Sequence, residues 1–264
     1  MARIHLFEFT DLSWYPQTFR DIQTDYLQFA SSLGSGHRNL IPLFQKALNH
    51  GNTLKIVDLC SGGLGPWKNL IMQLHESGLP VTVTLTDKFP NPTSLSRITG
   101  YPISGIEYCT ESIDALNVPE NLQGMRTMFE GFHHFKPDKA GEILKHAQQK
   151  GTAIGVFEAG LIPPFGIILL LVSPILTLLA YILVTPFIRP FSFRRIFWTY
   201  ILPVVPLATC WDGLISLLRV YSVRELNDLV KPLKNSHYAW DIGQVGTGTP
   251  IFNFIYLLGY PTSA

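Results

Sequence analysis

Between Leu54 and Ala159 short apolar runs alternate with amphipathic stretches, and this alternation leaves few architectures open. KIVDLC reads as a strand, PWKNLIMQLHESG as a helix with Pro66 at its start and Gly78 at its end, and VTVTLTD as a second strand. IEYCT and MRTMFEGF are two further strands, PDKAGEILKHAQQK is a helix, and TAIGVFEA is a fifth strand. Strands and helices in this order predict a parallel sheet covered on both faces. Upstream, WYPQTFRDIQTDYLQFASSL predicts an amphipathic helix with Pro16 in its first turn, and a second helix covers about Leu40 to Leu48. Downstream, Ser222 and Glu225 have capping-box spacing for a helix that Pro232 stops. HYAWDIGQV and IFNFIYLLGY flank the turn-like GTGTP and predict a closing antiparallel hairpin.

One segment breaks the pattern. Residues 159 to 188 carry no charge, a length sufficient to cross a bilayer, and much of the chain's high hydrophobic content (47%) sits there. The chain is therefore read as an N-terminal helical cap (1–53) and a core (54–264) interrupted by an apolar insert (160–211).

In an open parallel sheet, ligands bind beyond the carboxyl ends of the strands. After the first strand comes DLCSGGLGPW, where Asp58 ends the strand and Gly62, Gly63 and Gly65 let a ligand approach the backbone. Asp87 ends the second strand, where a carboxylate accepts hydrogen bonds from ribose hydroxyls. A nucleoside-containing cofactor fits both features; the plainer alternative is a tight strand-to-helix turn that binds nothing. The dinucleotide fingerprint is not met, because Cys60 takes the place of its first glycine.

With these residues in place, the chain resembles the class I S-adenosylmethionine-dependent methyltransferases. IVDLCSGGLG is similar to their glycine motif, LTD to their ribose-binding acid, IDALNVP to their adenine-facing segment and FEGFHHF to the fourth-strand end beside the methyl donor. The departures are Cys60 and Leu64, where glycine is more usual. The resemblance implies a Rossmann-like, seven-stranded, mostly parallel sheet with an antiparallel last strand and an N-terminal helical lid; the apolar insert after strand five falls outside it. It implies S-adenosyl-L-methionine as cofactor, held by Asp58, Cys60, Ser61, Gly62, Gly63, Gly65, Asp87, Lys88, Asp114, Ala115 and Glu130. Glu130 is equally placed to orient a histidine or to cap its strand.

Methyl transfer from a sulfonium requires alignment, exclusion of water and removal of a proton from the acceptor. His133 and His134 follow the fourth strand and are the candidate bases, although backbone bonding alone would also account for them. In an extended chain they point opposite ways, so one of them faces the site. No nearby cysteine or carboxylate in the sequence completes a metal set. Glu158 reads first as an acceptor for a loop amide. In the lid, Trp14, Tyr15, Arg20 and Tyr26 are candidate substrate contacts or ordinary packing. Trp211 and Asp212 read first as a helix start with Asp212 as N-cap, and Trp211 second as a substrate contact.

A net charge of +1 gives no basic footprint for nucleic acid, and three widely spaced cysteines (Cys60, Cys109, Cys210) suit a reducing compartment. Both ends of the insert join one sheet, so a single crossing is excluded. A two-pass hairpin would carry Arg189, Arg194 and Arg195 to the far side, against the positive-inside bias. Seven prolines, including Pro163, Pro164 and Pro174, divide the insert into pieces of about ten residues, short for straight spans. The preferred reading is therefore broken apolar helices lying in one leaflet on the cytoplasmic side. A self-packed lid or homodimer interface, and true spanning, are the alternatives. An apolar insert above the substrate side of the sheet predicts a lipophilic acceptor, such as a prenylated, polyketide or terpenoid molecule. Two other functions share these features: a non-catalytic cofactor-binding module at a membrane, and a sulfonium-dependent cyclisation.

Overall fold

A computed structural model describes residues 3–32, 36–91, 103–162 and 165–262. Seven strands form one sheet in the order β3-β2-β1-β4-β5-β7-β6. They are β1 (Lys55–Asp58), β2 (Thr82–Asp87), β3 (Ile106–Ser112), β4 (Met125–Phe129), β5 (Ile154–Leu161), β6 (Tyr238–Gly246) and β7 (Phe252–Pro261). β1 to β5 pair in parallel, whereas β7 runs antiparallel to both β5 and β6. This is the α/β, Rossmann-like topology that the resemblance implies, closing hairpin included.

The helices are α1 (Gln17–Ser32), α2 (Ile41–Gly51), α3 (Trp67–Glu76), α4 (Pro137–Gln149), α5 (Phe165–Val184), α6 (Phe193–Ile196), α7 (Val204–Arg219) and α8 (Val223–Val230). Successive strand residues face opposite ways, so Ile56 of β1 joins a core with Phe44 of α2 and Trp67 and Ile71 of α3. Its neighbour Val57 joins the opposite core with Ile143 and Leu144 of α4 and Leu226 of α8. Each such large side chain, fully withdrawn from water, contributes about 1.5–3 kcal/mol. The predicted capping box holds: Ser222 Oγ accepts the Glu225 amide (3.3 Å), and Glu225 Oε2 accepts the Ser222 amide (2.9 Å).

The insert departs from expectation at two points. α5 runs unbroken for 20 residues with Pro174 inside it. Proline removes the N–H that would bond the Leu170 carbonyl, and the Ser173 hydroxyl donates to that carbonyl instead, at 3.0 Å. The second half is broken as expected, with a bend of 78° between Phe193–Ile201 and Val204–Arg219. Pro163 and Pro164 lie outside the described residues.

The other departure is α7, which runs through Trp211 and Asp212, so Asp212 is not an N-cap and position 211 falls within a helix. Pro206 sits in the first turn, where its missing N–H costs no helical bond. The Asp212 carboxylate instead accepts the amides of Phe9 (2.7 Å) and Thr10 (3.4 Å) and the Gln23 side-chain amide (3.1 Å). It thereby ties the N-terminal segment and α1 to α7. α1 also meets the insert in a third, smaller core of Ile22, Tyr26, Tyr181, Ile188 and Val205.

Candidate active site

At the carboxyl ends of β1, β2 and β4 lies a cavity of about 760 Å³, walled on its other side by α1 and residues 5–11. Every residue assigned to the cofactor lines it except Asp58. The β1 loop is shaped for close approach: Cys60 (φ 58°), Gly62 (φ 58°) and Gly65 (φ 52°) are left-handed. That explains why glycine would be usual at Cys60, which adopts this conformation at a cost of about 1–2 kcal/mol. Asp58 does not line the cavity. It is buried beneath the loop, accepting from Ser61 Oγ and Thr127 Oγ1, both at 2.6 Å, so it fixes the loop to β4 and does not face the cavity. Burial raises its pKa to about 6, against the lowering effect of the two hydroxyls.

The Asp87 carboxylate accepts the Gly62 amide (2.7 Å) and the Phe89 amide (2.8 Å), leaving one lone pair on each oxygen towards the cavity. Asp114 is held by Lys88 Nζ (3.0 Å) and the Leu116 amide (3.0 Å), which hold its pKa below the ordinary value although burial acts the other way. Gln28 of α1 was not anticipated. Its Nε2 donates to the Gly65 carbonyl (3.0 Å), and its Oε1 is a buried acceptor without a partner. An orphaned acceptor beside a glycine loop, two carboxylates and left-handed backbone form a donor and acceptor set that fits S-adenosylmethionine, with its ammonium and ribose hydroxyls as donors.

The histidines also differ from expectation. They occupy a 3-10 turn (Phe132–His134), not extended chain, so their rings stack at 4.4 Å and 28° instead of pointing apart. His134 lines the cavity and His133 does not. Nδ1 of His134 donates to Asp11 Oδ1 at 2.6 Å. Burial lowers the pKa of His134, but the Asp11 hydrogen bond and the charges of Glu8 and Asp11 outweigh it, and the net shift is upward. Asp11 responds in the opposite sense: its burial is overcome by the His134 and Arg219 contacts, and its pKa falls. His133 is buried, with Nδ1 on Glu158 and an unpartnered Nε2 that lies 3.7 Å from Glu8 Oε1. Glu158 accepts the amides of Phe132 (2.7 Å) and His133 (3.1 Å), the loop-amide role expected of it.

Glu130, at φ 50°, accepts the Ala159 amide at 2.7 Å. It lies close to Glu158, and burial together with that neighbour raises its pKa, whereas the His133 contacts lower that of Glu158 against its own burial.

Sequence spacing offered no carboxylate to complete a metal set with the histidines, yet folding supplies them. Ligand atoms of Glu8, His133 and His134 lie within 4.8 Å of one another, as do those of Glu130, His133 and Glu158. Glu8 and Asp11 already hold a cation. Arg219 Nη1 donates to Glu8 Oε1 (2.8 Å) and Asp11 Oδ2 (2.7 Å), and Nη2 to the His134 carbonyl (2.8 Å). Arg3 donates to the carbonyls of His133 (3.0 Å) and Phe135 (2.8 Å). The sequence signal for this network is a charge cluster in an otherwise apolar N-terminal segment and one arginine closing an apolar helix.

Of the proposed substrate contacts, Arg20 alone lines the cavity. Its guanidinium donates to the carbonyls of Thr10, Leu12 and Tyr15 and covers the Phe89 ring at 4.0 Å. Tyr15 is buried among Phe9 and Phe19, Tyr26 stacks on Tyr181 at 4.3 Å, and Trp14 is 69% exposed. Trp211 donates Nε1 to the Phe7 carbonyl (3.0 Å), which places it behind the cavity wall. The helical period of α1 sends Tyr26 to the insert face and Thr24 and Gln28 to the cavity. Apolar lining comes instead from residues that include Leu6, Phe7, Leu27, Phe89 and Phe129.

No family model and no curated protein matches the chain. Solved structures do. Human N-acetylserotonin methyltransferase in complex with S-adenosylmethionine is 14% identical, over 88% of this chain and 55% of that one (TM-score 0.46). Mitomycin 7-O-methyltransferase is 14% identical, over 95% and 60% (0.48). A methyltransferase from Aquifex aeolicus is 12% identical, over 89% and 97% (0.46). The chain thus spans a little over half the length of the first two. The likeness to these structures, over most of this chain, is one of fold alone.

Proposed function

We propose that the protein transfers a methyl group from S-adenosylmethionine to a lipophilic small molecule. The observation that carries this reading is convergence: the glycine loop, Asp87, Asp114, Gln28 and a carboxylate-paired histidine meet in one cavity whose mixed lining also includes the apolar side chains of Leu6, Phe7, Leu27, Phe89 and Phe129. S-adenosylmethionine, when bound, supplies an electrophilic methyl group on sulfur. The chain's own work is then to hold the cofactor through the β1 loop, Asp87, Asp114 and Gln28, and to exclude water with α1 and residues 5–11. Removal of the acceptor's proton falls to His134, with Asp11 fixing its ring through Nδ1. Leu6, Phe7, Leu27 and Phe129 offer an apolar acceptor the burial it needs.

The test is calorimetric titration of the full chain with S-adenosylmethionine and, as a control, NADH. Saturable binding of the sulfonium compound alone, weakened at least about tenfold by Gln28→Leu without a change in melting temperature, supports the reading. A folded, ligand-free protein that binds neither compound refutes it. Turnover on a panel of lipophilic phenols, amines and enols then tests the reaction, and methylation of polar acceptors only would overturn the substrate class.

A further inference from the structure

The outer face of α5 is apolar and open. Only 11% of the Ile168–Phe187 window is buried, its mean hydropathy is 2.5, and Leu171 and Leu183 are 74% and 67% exposed. Phe187, Phe193 and Ile201 extend the face beyond the helix. A surface of this size must be covered by something. Two observations say what covers it.

The first is charge. Residues 160–211 contain no aspartate or glutamate, and their three arginines are Arg189, Arg194 and Arg195. Arg195 is buried and paired with Asp25 at 2.5 Å, so the exposed charge at the edge of the face is that of Arg189 and Arg194. Anionic headgroups complement such an edge. A two-fold copy of the chain would instead set this acid-free surface against itself, with no carboxylate from the insert to meet the arginines.

The second is orientation. α5 is long enough to cross a bilayer, but it is moored along its length. β5 leads directly into its start, the Pro174 carbonyl receives Cys210 Sγ of α7 (3.2 Å), and Tyr181 is buried against Tyr26 with its hydroxyl donating to the Ile22 carbonyl (3.3 Å). α1, which holds Tyr181, carries Arg20, Asp21 and Gln28 on the cavity side. Standing α5 across the membrane would carry that polar helix into hydrocarbon, whereas laying it along the surface leaves α1 above the headgroups.

We propose that α5 and the turn at Phe193 dock flat into one leaflet of an anionic lipid bilayer, with Arg189 and Arg194 at the headgroups. This docking is independent of the methyltransferase reading, since it invokes no cofactor. The experiment is flotation of the full-length, detergent-free protein with vesicles of phosphatidylcholine and phosphatidylglycerol in equal parts. The wild type is expected to float. Leu171→Glu with Leu183→Glu should lower partitioning at least about a hundredfold, with near-ultraviolet circular dichroism unchanged. Arg189→Gln and Arg194→Gln should each cost about fivefold on these vesicles and nothing on pure phosphatidylcholine. Spin labels at positions 171 and 183 should report one shallow depth. Failure of the wild type to float, or a lipid-free dimer that the two glutamates dissociate, would overturn the proposal. So would a depth difference near 18 Å between the labels, the rise of twelve helical residues, because α5 would then stand across the bilayer.

Discussion

Replacing Arg219 with methionine tests how the N-terminal segment is held. The guanidinium is 1% exposed and serves four acceptors: Glu8, Asp11, the His134 carbonyl and His5 Nε2. Methionine retains most of the packing volume but leaves the Glu8 carboxylate, 3% exposed, without its guanidinium partner, the Ser216 hydroxyl at 3.1 Å remaining as its donor. Removing one partner of such a pair costs about 3–5 kcal/mol. Asp11, at 32% exposure, adds little because solvent screens it. For a chain of this size each kcal/mol lowers the melting temperature by about 2–4 °C, so the expected drop is about 6–20 °C. Differential scanning calorimetry at neutral pH reads it. Glu8→Gln in the same chain should restore roughly half, because the orphaned charge is then gone, and the double-mutant cycle should show a coupling of at least about 1 kcal/mol. A drop under 2 °C, or two additive single effects, would refute the claim that this pair anchors residues 3–11.

The remaining predictions concern the cavity and the caps. If His134 is the base, its rate must rise with pH through an apparent pKa above the ordinary 6.5, because the proton that Asp11 and Glu8 help retain has to leave first; Asp11→Asn should move that limb to lower pH, and an unshifted profile would assign the limb elsewhere. The same raised pKa makes the stability contribution of His134 full below about pH 6.5 and lost as pH rises through the folded-state value, a trend that urea titrations of His134→Ala against wild type should show. Cys60→Gly should leave stability within about 1 kcal/mol, since relief of left-handed strain offsets the greater entropy of glycine, whereas Cys60→Val should cost more than 2 kcal/mol in denaturant midpoint measurements. Ser222→Ala removes one arm of the capping box and should cost about 1 kcal/mol by the same method, with cofactor affinity unaffected.

The sheet and most of the cavity wall at the strand ends were legible because their signals are local. Strand periodicity, Pro66 and Gly78 around α3, and an acid closing β2 each lie within a few residues. Loss of legibility begins where a partner is distant in sequence. Asp212 is a helix cap by residue type, and it does cap a turn, but the turn at Phe9 to Asp11 and not its own helix. The break expected at Pro174 is averted by a hydroxyl one residue earlier, a repair that residue counting overlooks. The histidines were found, yet which one faces the cavity depended on a 3-10 turn in place of extended chain. The carboxylate partner of the cavity-facing one, Asp11, lies more than a hundred residues from His134.

α1 is a wall with two tenants. Its Gln28 and Thr24 border the cavity, and Tyr26 and Ile22 grip the insert. A rigid helix cannot move for one neighbour without moving for the other. Any coupling between occupancy of the cavity and occupancy of the apolar face would run through α1 and would be reciprocal: whatever factor a filled cavity applied to the affinity of the outer face, a covered outer face would return to the cavity.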